Sequence, residues 1–173
     1  AAWGAAWSVR TRHRASGIAF AAAILTKVWP VVIVPALWLR DRRAFWWATA
    51  TAALGSIVWV VVGGVEGVRQ VAGFRGATGW EVESVIGSIV WVVRDEPVRL
   101  EAGAPRVGAM SPGASVALAV LLVSLEVLIW TRAAMSRRDG YGGAAVAAVG
   151  ALLICAPVFS LQYAAWLLPW AAV

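Results

Sequence analysis

Four long apolar stretches constrain what this chain can fold into more than any other feature. They lie near 17–39, 44–64, 113–131 and 141–159, and about 20 apolar residues in a helix cross the hydrocarbon core of a bilayer. The sequence is 61% hydrophobic, well above the roughly 45–50% of soluble domains. It also holds 12 Trp, a residue that favours the lipid–water boundary. We therefore predict an all-α, polytopic transmembrane helical bundle in the lipid bilayer, with residues 1–173 as one domain.

Three basic clusters separate the apolar stretches, at 10–14, 40–43 and 132–138. Short cytoplasmic loops carry an excess of Lys and Arg, so all three clusters are expected on the cytoplasmic side. The stretch 65–111, whose charges nearly balance, then becomes an extracytoplasmic loop. Within it, "WEVESVIGSIVWVV" (80–93) is too short to span as a helix and carries a narrow polar stripe. We predict that it forms an amphipathic helix at the outer surface.

The first apolar stretch contains a lysine and two prolines, Lys27, Pro30 and Pro35. A reversal at "TKVWP" would keep both flanking basic clusters on the cytoplasmic side, whereas a single crossing would separate them. Two half-helices, 16–26 and 30–39, would then meet near mid-membrane and form a broken-helix hairpin with a site for an anion at Lys27. The alternatives are one kinked spanning helix, and a Lys27 that snorkels or pairs with a carboxylate elsewhere.

The residue inventory excludes several kinds of site. The chain has one cysteine, Cys155, in an apolar run, and one histidine, His13, in a basic loop. Neither a disulfide framework nor a His/Cys metal site can be built from them. The net charge of +6 comes from Arg residues clustered between apolar segments, which indicates membrane topology rather than a nucleic-acid footprint. We predict no metal, no cofactor and no nucleic-acid partner.

Three motifs occur in order along the chain: "TKVWPVVIVPAL", "GWEVESVIGS" and "FSLQYAAWLLP". Together they resemble the Lys-x-x-Pro segment, the Glu-Ser loop motif and the Ser-x-Gln-Tyr-x-x-Trp-x-x-Pro motif of glycosyltransferase family 87, in the GT-C superfamily. The resemblance covers residues 15 to 169. It implies a bundle of GT-C type, an extracytoplasmic active site, and a polyprenyl-phosphate sugar rather than a nucleotide sugar as donor. The acceptor would be a glycolipid or a cell-wall polysaccharide.

The chemistry of the implied reaction selects candidate site residues. Loss of a sugar from its phosphate needs cations where negative charge grows, and Lys27 and Arg75 are the candidates for donor-phosphate binding. Family members often carry a basic residue just before the loop glycine, where this chain has Thr78, so Arg75 would have to substitute. The motifs place five substrate-binding candidates: Glu83, Ser84, Gln162, Tyr163 and Trp166. Two alternatives stay open, because Glu83 could cap the helix 80–93 and the two aromatic residues could belong to an ordinary interfacial belt.

The family's catalytic carboxylate lies on the first extracytoplasmic loop, near the N-terminus of the complete protein. No matching loop precedes the first motif here. The chain starts with "AAWGAAW", without Met or a secretory signal, and ends inside the apolar run "WLLPWAAV", so we expect a C-terminal fragment of a longer protein. The base is then expected upstream, and this fragment alone is expected to be inactive. Of the carboxylates present, Glu81 is expected to face solvent, and Glu126 to serve helix packing or to snorkel.

The resemblance implies transfer of a hexosyl or pentosyl group, mannose or arabinofuranose, by direct displacement with inversion. A composition rich in Ala, Val, Arg and Gly with a single Lys indicates a high-GC bacterial genome, and the family points to a multi-pass protein of the actinobacterial plasma membrane. Two other readings remain: a polytopic transporter or flippase with a broken-helix anion site, and a membrane scaffold without activity.

Overall fold

The computed structural model describes residues 12–72, 78–136, 142–159 and 161–168. This part of the chain is mostly helical. Its α-helices are α1 (His13–Thr26), α2 (Val34–Arg40), α3 (Arg42–Ala72), α4 (Val85–Arg94), α5 (Pro112–Ser136) and α6 (Gly142–Cys155). The helical geometry of α3 is interrupted at Gly64, with φ 70° and ψ 171°. Two 3₁₀ helices, Trp29–Ile33 and Leu161–Trp166, precede α2 and follow α6.

Two helices are long and apolar enough to cross a membrane, Arg42–Gln70 within α3 and Pro112–Ser136, with mean hydropathies of 1.8 and 2.2. Only 6% of the apolar window of each is buried inside the protein. A core helix of a soluble domain would bury most of that surface. The two helices coincide with the predicted stretches 44–64 and 113–131. The fourth predicted stretch, 141–159, forms the shorter α6, whose 14 residues extend about 21 Å.

The chain reverses direction at the lysine of the first motif. Helix α1 ends at Thr26, and Lys27 is extended with φ −148° and ψ 114°. The chain then returns through α2 to the start of α1, where Nδ1 of His13 lies 2.6 Å from Oδ2 of Asp41. The same carboxylate accepts a hydrogen bond from the backbone N–H of Ala44 at 3.0 Å, which caps the start of α3. The predicted reversal is therefore confirmed, and a single kinked helix is wrong.

Glycines set how closely α1 and α3 pack. A Cβ at Gly17 would lie 2.5 Å from the carbonyl oxygen of Ala44, and a Cβ at Gly55 would overlap the Leu25 side chain. Residues later in α1 thus meet residues later in α3, so the two helices run parallel and in direct contact. The break after Thr26 lies beside Gly55, well inside α3 rather than at its end.

The core lies where the hairpin meets the last helices of the chain. Phe20, Ile33 and Val149 are at most 1% exposed and belong to one hydrophobic cluster. Trp130 of α5 donates its indole N–H to the carbonyl oxygen of Val32 and to Glu126 Oε2, both at 3.0 Å. The bond to Val32 ties the break to α5, whereas the bond to Glu126 lies within α5, between residues four positions apart.

A small antiparallel sheet was missed by the sequence analysis. Its strands are β1 (Trp80–Glu81), β2 (Arg99–Glu101) and β3 (Ala104–Val107), in the order β1-β3-β2. A tight turn joins β2 to β3, with positive φ at Ala102 (50°) and Gly103 (80°). The predicted helix 80–93 is wrong over its first five residues, because β1 and a turn precede α4. The fold class is accordingly mostly helical rather than all-α.

Candidate functional site

The three sequence motifs converge at one place, which we call the motif junction: Trp29, Glu81, Phe159, Tyr163 and Trp166. Trp29 of the first motif stacks on Trp166 of the third, with ring centroids 4.5 Å apart and planes at 11°. Tyr163 stacks on the same indole at 4.4 Å and 27°. Phe159 meets Tyr163 edge-on at 6.2 Å. Stacked and edge-on aromatic pairs of this kind hold the segments together beyond the area they bury.

The second motif joins the junction through Glu81. Its carboxylate Oε2 accepts a hydrogen bond from the backbone N–H of Phe159 at 3.0 Å, across 78 positions of sequence. Its own N–H donates to the carbonyl oxygen of Pro157 at 3.2 Å. Glu81 is 7% exposed, so the expectation that it faces solvent is wrong. Burial raises the pKa of this carboxyl, while the nearby Arg106 guanidinium and the Phe159 N–H act to lower it.

Arg106 and Glu101 position the turn that leads into β1. Arg106 is 4% exposed, and its Nη1 donates to the carbonyl oxygen of Gly79 at 2.8 Å. Glu101 accepts hydrogen bonds from the N–H and hydroxyl of Thr78 and from the N–H of Gly79. Hydrogen bonds from Thr78 lower the pKa of Glu101. Thr78, the residue just before the loop glycine, therefore anchors this turn to the sheet.

Ser84 caps α4, and Glu83 does not. The Ser84 hydroxyl accepts a hydrogen bond from the N–H of Gly87 at 3.0 Å and donates to the carbonyl oxygen of Glu81 at 2.7 Å. This side chain is completely buried, so its hydroxyl is committed to the cap rather than open to a substrate. Glu83 is exposed. Of the two adjacent candidates, Glu83 is the one that a sugar hydroxyl can reach.

Lys27 lies exposed at the break, two residues before Trp29. It is the one cation within the first motif. Arg75 lies outside the described residues, as does the side chain of Gln162, whose backbone belongs to the 3₁₀ helix Leu161–Trp166. The ring of Trp166 is engaged by two protein rings, so an approaching sugar would meet Trp29 or Tyr163 first.

Sequence reasoning missed Trp29 and Glu81 as junction residues. Each stood beside a residue that drew attention, Trp29 next to Pro30 and Glu81 two positions before Glu83. Both residues lie inside one of the three motifs, and that position was the sequence feature that could have identified them. Among the described residues, no three His, Cys, Asp or Glu side chains are grouped so as to hold a metal ion.

Comparison with known proteins finds no match to a family model, a curated protein or a solved structure. The likeness to glycosyltransferase family 87 thus rests on the three motifs.

The raised pKa of Glu81 predicts a specific pH dependence of stability. A raised carboxyl pKa means that the folded state favours the protonated form, so ionisation of Glu81 lowers stability as pH rises from below its ordinary pKa to above the raised one. Glu81→Gln keeps an acceptor for the Phe159 N–H and cannot ionise. We expect apparent Tm values of wild type and E81Q to agree near pH 4 and to diverge toward pH 7, with E81Q higher.

The matched control for this prediction is Glu81→Ala. It leaves the part-buried Phe159 N–H without its acceptor and should lower stability at every pH, by about 1–3 kcal/mol. The melts are measured in detergent from pH 4 to 8. A constant difference between wild type and E81Q across this range would contradict the assignment.

Proposed function

We propose that this chain is part of a polytopic membrane glycosyltransferase of GT-C type. It transfers a hexosyl or pentosyl group, mannose or arabinofuranose, from a polyprenyl phosphate to a glycolipid or cell-wall glycan. The basic ends of α1, α2 and α5 face the cytoplasm of a bacterial cell, and the sheet with α4 lies on the outer side. The catalytic base is supplied by a part of the protein outside this chain.

The observation that supports this proposal is the motif junction. Three segments that resemble one enzyme family, in the order of that family, meet through a stack of rings and a buried carboxylate. Helix packing alone does not require the carboxylate of Glu81 to reach the backbone of Phe159. An active site assembled from distant segments does require such fixed contacts, because reacting groups must be held in place.

The chemistry available at the junction suits a sugar phosphate. The ammonium group of Lys27 provides a charge for the departing phosphate, whose negative charge grows as the glycosidic bond breaks. The rings of Trp29 and Tyr163 offer apolar faces to the C–H side of a sugar or to the first isoprene units. The exposed carboxylate of Glu83 can accept hydrogen bonds from sugar hydroxyls.

The donor test uses membranes that carry the full-length protein. We expect radiolabelled sugar to move from a polyprenyl-phosphate donor into an extractable glycolipid or polymer, and no label to move directly from the matching nucleotide sugar. Membranes lacking the protein are the control. Label that moves from the nucleotide sugar when polyprenyl-phosphate synthesis is blocked would contradict the proposed donor class.

A transporter or flippase is the competing function, since a helix broken beside the interior of a spanning helix is also a substrate-site architecture of transporters. The same labelled lipid separates the two. Proteoliposomes in which the label changes leaflet without being transferred to an acceptor would replace the transferase proposal with a flippase.

A further inference from the structure

A groove of about 930 Å³ lies between the starts of α1 and α3. It is at the opposite end of α1 from Lys27 and the motif junction, so it belongs to neither the proposed donor site nor the acceptor surface. The residues that give the groove its chemistry are three arginines, one histidine and two tryptophans: Arg12, Arg14, Arg43, His13, Trp46 and Trp47.

The charge of the groove is positive. None of its described lining residues is acidic, and the carboxylate of Asp41 is engaged by His13 and by the N–H of Ala44. The Arg14 guanidinium lies 4.9 Å from the centre of the Trp47 ring, which orients it while its N–H groups stay available. An anion with several oxygens, such as a phosphate, is the natural partner of such arginines.

The wall of the groove continues into an apolar stripe. Trp46 is 61% exposed, and Leu54, Ile57 and Val61 follow it on α3 at 63%, 61% and 78% exposure. Steps of eight, three and four residues place these side chains along one side of the helix. An inorganic anion makes no favourable contact with this apolar stripe, whereas an acyl chain attached to a phosphate would pack on it.

The position of the groove along α3 also favours a phospholipid as the ligand. The groove lies at the first turns of a helix long and apolar enough to cross a membrane, where its basic end meets its apolar part. Exposed tryptophans favour this interfacial depth, and basic residues there attract anionic headgroups. We propose that the groove binds an anionic phospholipid, with its phosphate between Arg12, Arg14 and Arg43 and one acyl chain along the stripe.

The test is native mass spectrometry of the delipidated intact protein, titrated with phosphatidylglycerol and, separately, with phosphatidylcholine of the same acyl chains. Wild type should prefer phosphatidylglycerol. The variant R12Q/R14Q/R43Q should bind it on the order of 100-fold more weakly, given the usual contribution of a basic residue beside an anionic membrane. The charge-matched control R40Q/R42Q/R132Q removes three arginines that do not line the groove, and it should retain the preference.

A second measurement needs no change of charge. Phosphatidylglycerol with brominated acyl chains should quench the fluorescence component lost in W46F/W47F, and brominated phosphatidylcholine should quench it less. If both triple variants bound phosphatidylglycerol equally weakly, the proposal would be overturned. That result would show that the lipid is attracted by the net charge of the protein alone. Inorganic phosphate that displaces phosphatidylglycerol at equal concentration would also overturn it, since the acyl chain would then contribute nothing.

Discussion

Replacing Lys27 with alanine is expected to lower sugar transfer by about 100-fold or more, the loss seen when one preorganised stabilising group is removed from a transition state. In the proposed transferase, this ammonium offsets the negative charge that grows on the leaving phosphate. The effect should fall on kcat, because phosphate charge increases between the bound donor and the transition state. Lys27→Arg should retain part of the rate, since a guanidinium keeps the charge with a different shape.

Folding should not account for this loss. Lys27 is exposed and extended, and its backbone N–H donates to the carbonyl oxygen of Ala23, a bond that alanine keeps. The apparent Tm of Lys27→Ala should therefore match wild type. Arg132→Ala, an exposed cation on α5 near the basic end, is the matched control and should transfer sugar normally. Unchanged turnover in Lys27→Ala would remove this residue from the site.

Replacing Gly87 with alanine is expected to have the largest effect on stability. A Cβ at this position would overlap the carbonyl oxygen of Glu81 and lie 2.9 Å from the hydroxyl of Ser84. The first contact is with backbone and cannot be relieved by a rotamer change. Alanine must push α4 away from β1, which breaks the Ser84 cap and disturbs the burial of Glu81. Overpacking and the lost cap together predict a loss of roughly 2–4 kcal/mol.

This second prediction is measured by thermal unfolding in detergent and by limited proteolysis. Cleavage of Gly87→Ala should begin within 78–110, the segment that the cap holds together. Gly143→Ala is the control, because nothing lies within 4 Å of the added methyl group, and it should be neutral or slightly stabilising. A Gly87→Ala protein as stable as this control would show that α4 does not depend on the close contact.

Helix existence and the chain reversal could be predicted because they rest on local properties. The length and the hydropathy of an apolar segment predict α3 and α5, and neither property depends on what the segment packs against. The reversal followed from Lys27, the prolines and the basic clusters on both sides. His13 and Asp41 lie within those clusters, and their contact closes the hairpin.

The candidate site was only partly predictable. Lys27, Tyr163 and Trp166 came from the motifs, but the motifs could not assign separate tasks to neighbouring residues. The structure buries Glu81 and exposes Glu83, and it commits Ser84 to a cap. The burial of Glu81 depends on a partner 78 positions along the chain, Phe159, whereas the Ser84 cap uses partners three residues away.

By itself, the sequence predicted an all-α membrane protein with four apolar stretches and a chain that turns back at Lys27, and two of those stretches form helices long enough to cross a membrane. These features follow from side-chain polarity and backbone preference, which act over one or two helical turns. Only the tertiary structure decided that a three-stranded sheet forms beside α4 and that Glu81 links the second motif to the third by a hydrogen bond to Phe159. Strand pairing and the burial of a carboxylate depend on hydrogen bonds between distant segments, and folding is what brings those segments together.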